Sequence, residues 1–203
     1  MSDHRKVNLP ERVTLTDVRK NARVTANLVR LDRETAKLCI DQKWWEVEGV
    51  SAQRLREEID YHWKWKVLIS KYQNNPYVTN MAVVLEDGSV QGAMIYRVDG
   101  KSVLEPGKRT VLIDRVATAP KNRDGLIANP CYRGAGSGLL TFALCQSYVL
   151  GLQARVNLFA AGDEQYYVDR GFVRTKIVHE EMALFELPSS VALERLTRKG
   201  MLS

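Results

Sequence analysis

Tyr132-Arg133-Gly134-Ala135-Gly136-Ser137-Gly138-Leu139-Leu140 is a glycine-rich loop that opens straight into an apolar run. Three glycines at alternate positions leave backbone amides bare. The apolar run after them has helical character, so those amides stand where orphan N–H groups and the helix dipole favour an anion. Glycine also lets a ligand approach where a Cβ would collide, and Arg133 adds a fixed charge with a donor fork. The stretch therefore reads as a pyrophosphate cradle formed by Arg133, Gly134, Ala135, Gly136, Ser137 and Gly138.

Two familiar phosphate loops do not fit. The order Gly-Ala-Gly-Ser-Gly breaks the dinucleotide fingerprint, and no acidic residue ends a second strand about 20 residues on. Nor is there a Gly-Lys-Ser/Thr. What fits is R-x-x-G-x-G at Arg133, Gly136 and Gly138, after a strand ending in Ala119-Pro120 and before Tyr167-Val168-Asp169-Arg170-Gly171-Phe172. That combination resembles the GNAT superfamily of acyl-CoA N-acyltransferases over about residues 78 to 187. The resemblance implies an α/β fold with a central mixed, mostly antiparallel sheet, splayed at the cofactor site and flanked by helices. It also implies acetyl-CoA or another acyl-CoA as co-substrate, with no metal.

Transfer to an amine poses two proton problems. An amine of pKa about 10.4 must lose a proton to attack, and a thiolate whose parent thiol has pKa about 8.5 must gain one on leaving. By the resemblance, Tyr167 is the general acid near the sulfur, with Tyr166 facing the core. Asp114, in the strand before the cradle, is the expected base, directly or through water; Glu46, Glu48 and Glu86 stay open as alternatives. Val116, Ala117 and Thr118 fall where relatives pair strand amides and carbonyls with the pantetheine arm. The chain departs from the pattern in two places. Residues 121–132 separate Pro120 from Arg133, where relatives have two residues, and Phe159-Ala160-Ala161-Gly162 replaces the frequent Asn. The long loop is expected to shape substrate entry, and Arg123 within it lacks the glycines that would make it the motif arginine.

The 203 residues, 45% hydrophobic and 27% charged, suit one soluble domain. Within it, 1–77 would shape the acceptor site, 78–187 form the catalytic core and 188–203 a terminal helix or tail. No apolar run is long enough for a membrane helix, and Met1 to Lys6 lacks a secretory pattern, so a cytoplasmic location is expected. Cys39, Cys131 and Cys145 are too far apart in sequence for a metal motif and read as idle thiols. The net charge of +6 is spread along the chain. It suits an acidic ligand such as coenzyme A; nucleic acid is possible without direct support, as is a homodimer. A non-catalytic acyl-CoA-binding module and an acetyltransferase for an aminoacyl-tRNA amine remain the alternative functions. The acceptor is otherwise an amine of unspecified identity.

In chain order, an edge strand is expected near 27–31 and a helix over 33–43. Trp44 and Trp45 could wall a substrate pocket. A helix capped by Ser51 should carry Leu55, Ile59, Trp63 and Val67 on one stripe and end at Asn74-Asn75-Pro76, with His62 packed or partly exposed. Strands over 78–85 and 90–98 meet at Asp87-Gly88, a hairpin signal. A strand over 109–119, a helix over 139–150, a strand over 155–160, a helix over 163–170 and a strand over 176–186 follow. Pro188 and Ser189 open a polar helix.

Overall fold

A computed structural model describes residues 7–179 and 181–202, so readings that rest on Met1 to Lys6, Glu180 or Ser203 lie outside it. The chain separates into two compact units, one of 11–95 with 116–139 and one of 7–10 with 96–115 and 140–202.

The first unit begins with a hairpin, β1 (Arg12–Asp17) and β2 (Ala22–Arg30), paired antiparallel with Thr14 opposite Thr25. Sequence periodicity suggested only an edge strand near 27–31. In fact β2 is interior, because β3 (Val78–Val84) takes its other side with Leu28 opposite Val83. Helix α1 (Arg33–Thr35) is capped by the Asp32 carboxylate and widens into a π turn over Ala36–Asp41. Ala36 and Ile40 from that turn join Trp44, Trp65, Ile69, Ala82 and Ile95 in the buried core.

The single helix expected after Ser51 is two. Ser51 caps α2 (Ala52–Arg56) as anticipated, but the chain turns out over 57–64 before α3 (Trp65–Lys71) begins. Two interactions from outside the segment account for the break. The Asp41 carboxylate accepts the Trp65 and Lys66 amides at 2.7 and 3.1 Å, capping α3, while Glu58 and Asp60 are drawn to an arginine far along the chain. Ile59 and Val67, placed on the buried stripe by periodicity, are instead exposed. At the Asp87-Gly88 turn, Gly88 has φ +78 and Asp87 accepts the Ser89 amide, leading into β4 (Val90–Lys101).

In the second unit, β5 (Arg109–Thr118) runs parallel to β7 (Val156–Ala160). Their pairing covers Val111 to Ile113 against Val156 to Leu158, and both strands continue past it. The expected last strand is a hairpin, β8 (Val173–His179) and β9 (Met182–Leu187), turning at Glu181 with φ +66. With β6 (Tyr132–Arg133), the strand order is β6-β1-β2-β3-β4-β5-β7-β9-β8, an open and mostly antiparallel sheet. Helix α4 (Ala135–Val149) starts earlier than its apolar run, at the cradle itself; α5 (Glu164–Val168) and α6 (Ser189–Arg198) complete the flanking helices.

Two buried charged residues of the second unit, Glu186 and Arg155, are hydrogen-bonded. Glu186, within β9, accepts from the Ser102 hydroxyl and the Val103 amide. Arg155 donates to Glu105, which also accepts from Ser189. The Arg155 hydrogen bond holds the Glu105 carboxyl below its ordinary pKa, against the opposing effect of burial. A depressed carboxyl pKa contributes stability above the unfolded value and loses it as pH falls through the folded one. Screening of this one-third-exposed carboxylate limits the effect to about 1 kcal/mol. Thermal midpoints measured from pH 6 to pH 3 should therefore fall about 2–4 °C less in Glu105→Gln than in wild type. Parallel declines would show that the pair contributes nothing.

Candidate acyl-CoA site

In the first unit, β6 ends at Arg133 and the chain reverses through Gly134, whose φ of +108 is open to glycine at little cost. It is the only one of the three cradle glycines with positive φ. Gly138 serves packing instead, since a Cβ there would lie 2.7 Å from the Val13 Cγ1 on β1. Its amide makes the first helical bond, to the Gly134 carbonyl at 2.8 Å. The amides of Ala135 and Gly136 thus stand ahead of the α4 ladder, where a phosphate would be held. The cradle fits the group that the sequence motif implies.

Val116, Ala117 and Thr118 end β5. The Thr118 carbonyl already accepts from Arg123 Nε and Nη2 at 3.1 and 2.7 Å, so it has less capacity for a pantetheine arm than the sequence suggested. The 121–132 loop is closed at its base. The Cys131 amide donates to the Lys121 carbonyl, and buried Asn122 accepts the Tyr132 amide while donating to Gln91. Arg123 reaches back to Asp60 and Glu58 and lies 5.5 Å over the Trp45 ring. It is an anchor for the loop. Trp44 is a core residue whose indole donates to the Val90 carbonyl, while Trp45 meets Tyr61 and that arginine. Asp124, from the same loop, pairs with Arg133 at 2.6 Å, both side chains being more than half exposed.

In the second unit, Tyr167 sits on α5 against Tyr166, Phe172 and Phe185, with ring centroids 5.2, 5.8 and 6.0 Å away. Burial, with a smaller contribution from Tyr166, pushes its pKa up to about 12. The phenol is protonated at neutral pH and so carries a proton it can donate. Among the described residues its hydroxyl has no hydrogen-bond partner. Tyr166 lies under the Arg170 guanidinium, 3.5 Å from its ring, rather than in the core. Asp114 is half-buried on β5, one residue past the β5–β7 pairing, and its main-chain carbonyl accepts from Arg115. Glu46, Glu48 and Glu86 are all exposed. Cys145 is buried, which raises its thiol to about 11 and leaves it inert.

Sequence reasoning did not find Asn122 or Asp124, nor the anchoring role of Arg123. Their partners lie at Gln91, Arg133, Glu58 and Asp60, and no local spacing encodes those contacts.

No protein-family model matches this sequence, and neither does any curated protein. Solved structures do match it. One is AtaTR bound with AcCoA, 12% identical, covering 85% of this chain and 98% of that chain with TM-score 0.50. Another, from Exiguobacterium sp. 255-15, is 13% identical over 84% and 97%, also at 0.50. A spermidine N-acetyltransferase SpeG variant from Vibrio cholerae is 15% identical over 84% and 97%, again at 0.50. At such identities the likeness is one of architecture. The chain has the GNAT fold.

Proposed function

We propose that the protein is an acyl-CoA N-acyltransferase that moves an acetyl group from acetyl-CoA to a primary amine by direct attack, acting in the cytoplasm. The observation that carries this reading is the start of α4, where the Ala135 and Gly136 amides precede the Gly138–Gly134 helical bond behind a glycine turn that the GNAT motif anticipates. Those amides take the pyrophosphate. The β5 backbone at Val116 and Ala117 takes the pantetheine arm, and an amide there polarises the thioester oxygen. Asp114 accepts the amine proton, directly or through water, as the new C–N bond forms. The C–S bond breaks, and Tyr167 delivers a proton to the departing sulfur. The Tyr167 hydroxyl, which has no hydrogen-bond partner among the described residues and so is available to a ligand, favours this enzyme over a module that only binds acyl-CoA.

The test is thermal unfolding with and without acetyl-CoA. At about 100 times the dissociation constant, one site stabilises the fold by about 2.7 kcal/mol, or roughly 5–10 °C for a chain of this size. Gly136→Glu, which sets a carboxylate among the cradle amides, should abolish the rise. A folded wild type that does not respond would remove the donor, and with it the enzyme reading.

A further inference from the structure

The two parts of the first unit that meet the donor lie on either side of residues 121–132. Val116 and Ala117 on β5 come before that loop, and the α4 amides come after it. A flexible connection of this length leaves its ends free to part, and bringing them together costs closure entropy. The register between β5 and the cradle must therefore be held by contacts across the base of the loop.

Those contacts converge on one buried amide. The chain leaves β5 through Ala119, whose amide donates to the Gln91 carbonyl at 3.0 Å, and turns over Pro120–Asn122. Gln91, fully buried at the start of β4, donates through Nε2 to the Ser89 carbonyl and hydroxyl at 3.2 and 2.7 Å, which leaves its Oε1 for Asn122. Asn122 Nδ2 donates to that oxygen at 3.0 Å, and Asn122 Oδ1 accepts the Tyr132 amide, also at 3.0 Å. Tyr132 pairs with Asp17 on β1 and stands two residues before Gly134, where the chain turns into α4. Beside this bridge the Cys131 amide donates to the Lys121 carbonyl at 2.9 Å, and the Cys131 carbonyl accepts the Val18 amide at 3.0 Å. Asn122 thus joins the start of β4, the end of β5 and the entry to the cradle. Only a side chain with a donor on one arm and an acceptor on the other makes both of its bonds.

We infer that Asn122 is a positioning residue of the donor site, holding the start of the cradle in register with the end of β5 so that the α4 amides and the β5 backbone meet one acyl-CoA molecule. The inference rests on the acyl-CoA reading above. Asn122 acts through the Tyr132 amide and not on a reacting atom. When the bridge is open, only the fraction of molecules in which it is closed binds donor at full strength, and the apparent dissociation constant rises in inverse proportion to that fraction.

The experiment measures the acetyl-CoA dissociation constant by calorimetry from about pH 5.5 to about pH 8 for wild type, Asn122→Ala and Asn122→Asp, with thermal midpoints alongside. Asn122→Ala removes both bonds and leaves the Tyr132 amide without its acceptor, so it should weaken acetyl-CoA about tenfold across the range. In Asn122→Asp the uncharged carboxyl keeps both bonds, its O–H donating to Gln91 and its carbonyl accepting from Tyr132. The ionised form still accepts from Tyr132 but sets a carboxylate against the Gln91 oxygen, and burial favours the uncharged form. Its affinity relative to wild type should therefore be near unity at the acid end and fall towards that of Asn122→Ala as pH rises. Taking the ratio to wild type cancels the titration of acetyl-CoA itself. A purely structural Asn122 would move the thermal midpoint of Asn122→Asp with pH and leave the affinity ratio flat. That flat ratio, or an Asn122→Ala affinity within about twofold of wild type, would overturn the positioning role and leave the acyl-CoA reading intact. Should Asn122→Ala not fold, Asn122→Asp decides alone, since its uncharged form preserves both bonds. A folded wild type that binds no acetyl-CoA would overturn the acyl-CoA reading and the positioning role together.

Discussion

Tyr167→Phe is expected to lower turnover about 10²-fold or more while leaving acetyl-CoA affinity within about twofold. The substitution removes one oxygen from a ring held by Phe172 and Phe185, and those ring contacts do not need it. The hydroxyl has no hydrogen-bond partner among the described residues, so no buried acceptor is orphaned and the fold should be as stable as wild type. Under the proposed mechanism, what disappears is the proton for the leaving thiolate. Because burial raises this pKa to about 12, the acid is fully protonated through neutral pH, and no alkaline decline below about pH 10 can be assigned to it. The kinetics should therefore show a large fall in kcat with KM little changed. Unaltered turnover in a variant that still binds acetyl-CoA would remove Tyr167 from the mechanism and leave water as the proton source.

The fold was legible where chemistry is local. Asp87-Gly88 announced its hairpin, Ser51 its cap and Arg133 to Gly138 the start of α4, because each signal and its consequence lie within a few residues. The short helix that carries Tyr167 was legible for the same reason. The break between α2 and α3 was not legible. The stripe of Leu55, Ile59, Trp63 and Val67 is genuinely helical, and it loses to Asp41 and Arg123, whose contacts span 24 and 63 residues. The β1–β2 hairpin was missed for a different reason. Its exposed face alternates threonine with arginine and asparagine, a pattern that local reading cannot separate from a polar loop until β3 supplies the missing neighbour.

Arg123→Met should destabilise the protein by about 3–5 kcal/mol, lowering the thermal midpoint by roughly 6–20 °C. Asp60 is only 5% exposed, and Arg123 meets both of its carboxylate oxygens, at 2.7 and 2.6 Å. Methionine keeps much of the packing against Trp45 but supplies no charge, so the carboxylate is left buried and unpaired. Glu58 suffers less because Arg54 also holds it, at 2.8 Å. If the cost is that unpaired charge rather than lost contact area, Arg123→Met combined with Asp60→Leu should recover most of the stability, since an apolar pair is often as stable as the buried ion pair it replaces. The double variant also separates anchoring from binding. Arg123 belongs to the loop's foundation and not to the cradle, so a refolded double variant should still be stabilised by acetyl-CoA. A loss of that stabilisation in a stable double variant would make the arginine part of the donor site. A midpoint for Arg123→Met within about 2 °C of wild type would show that the Arg123–Asp60 pair is not what holds residues 121–132 in place.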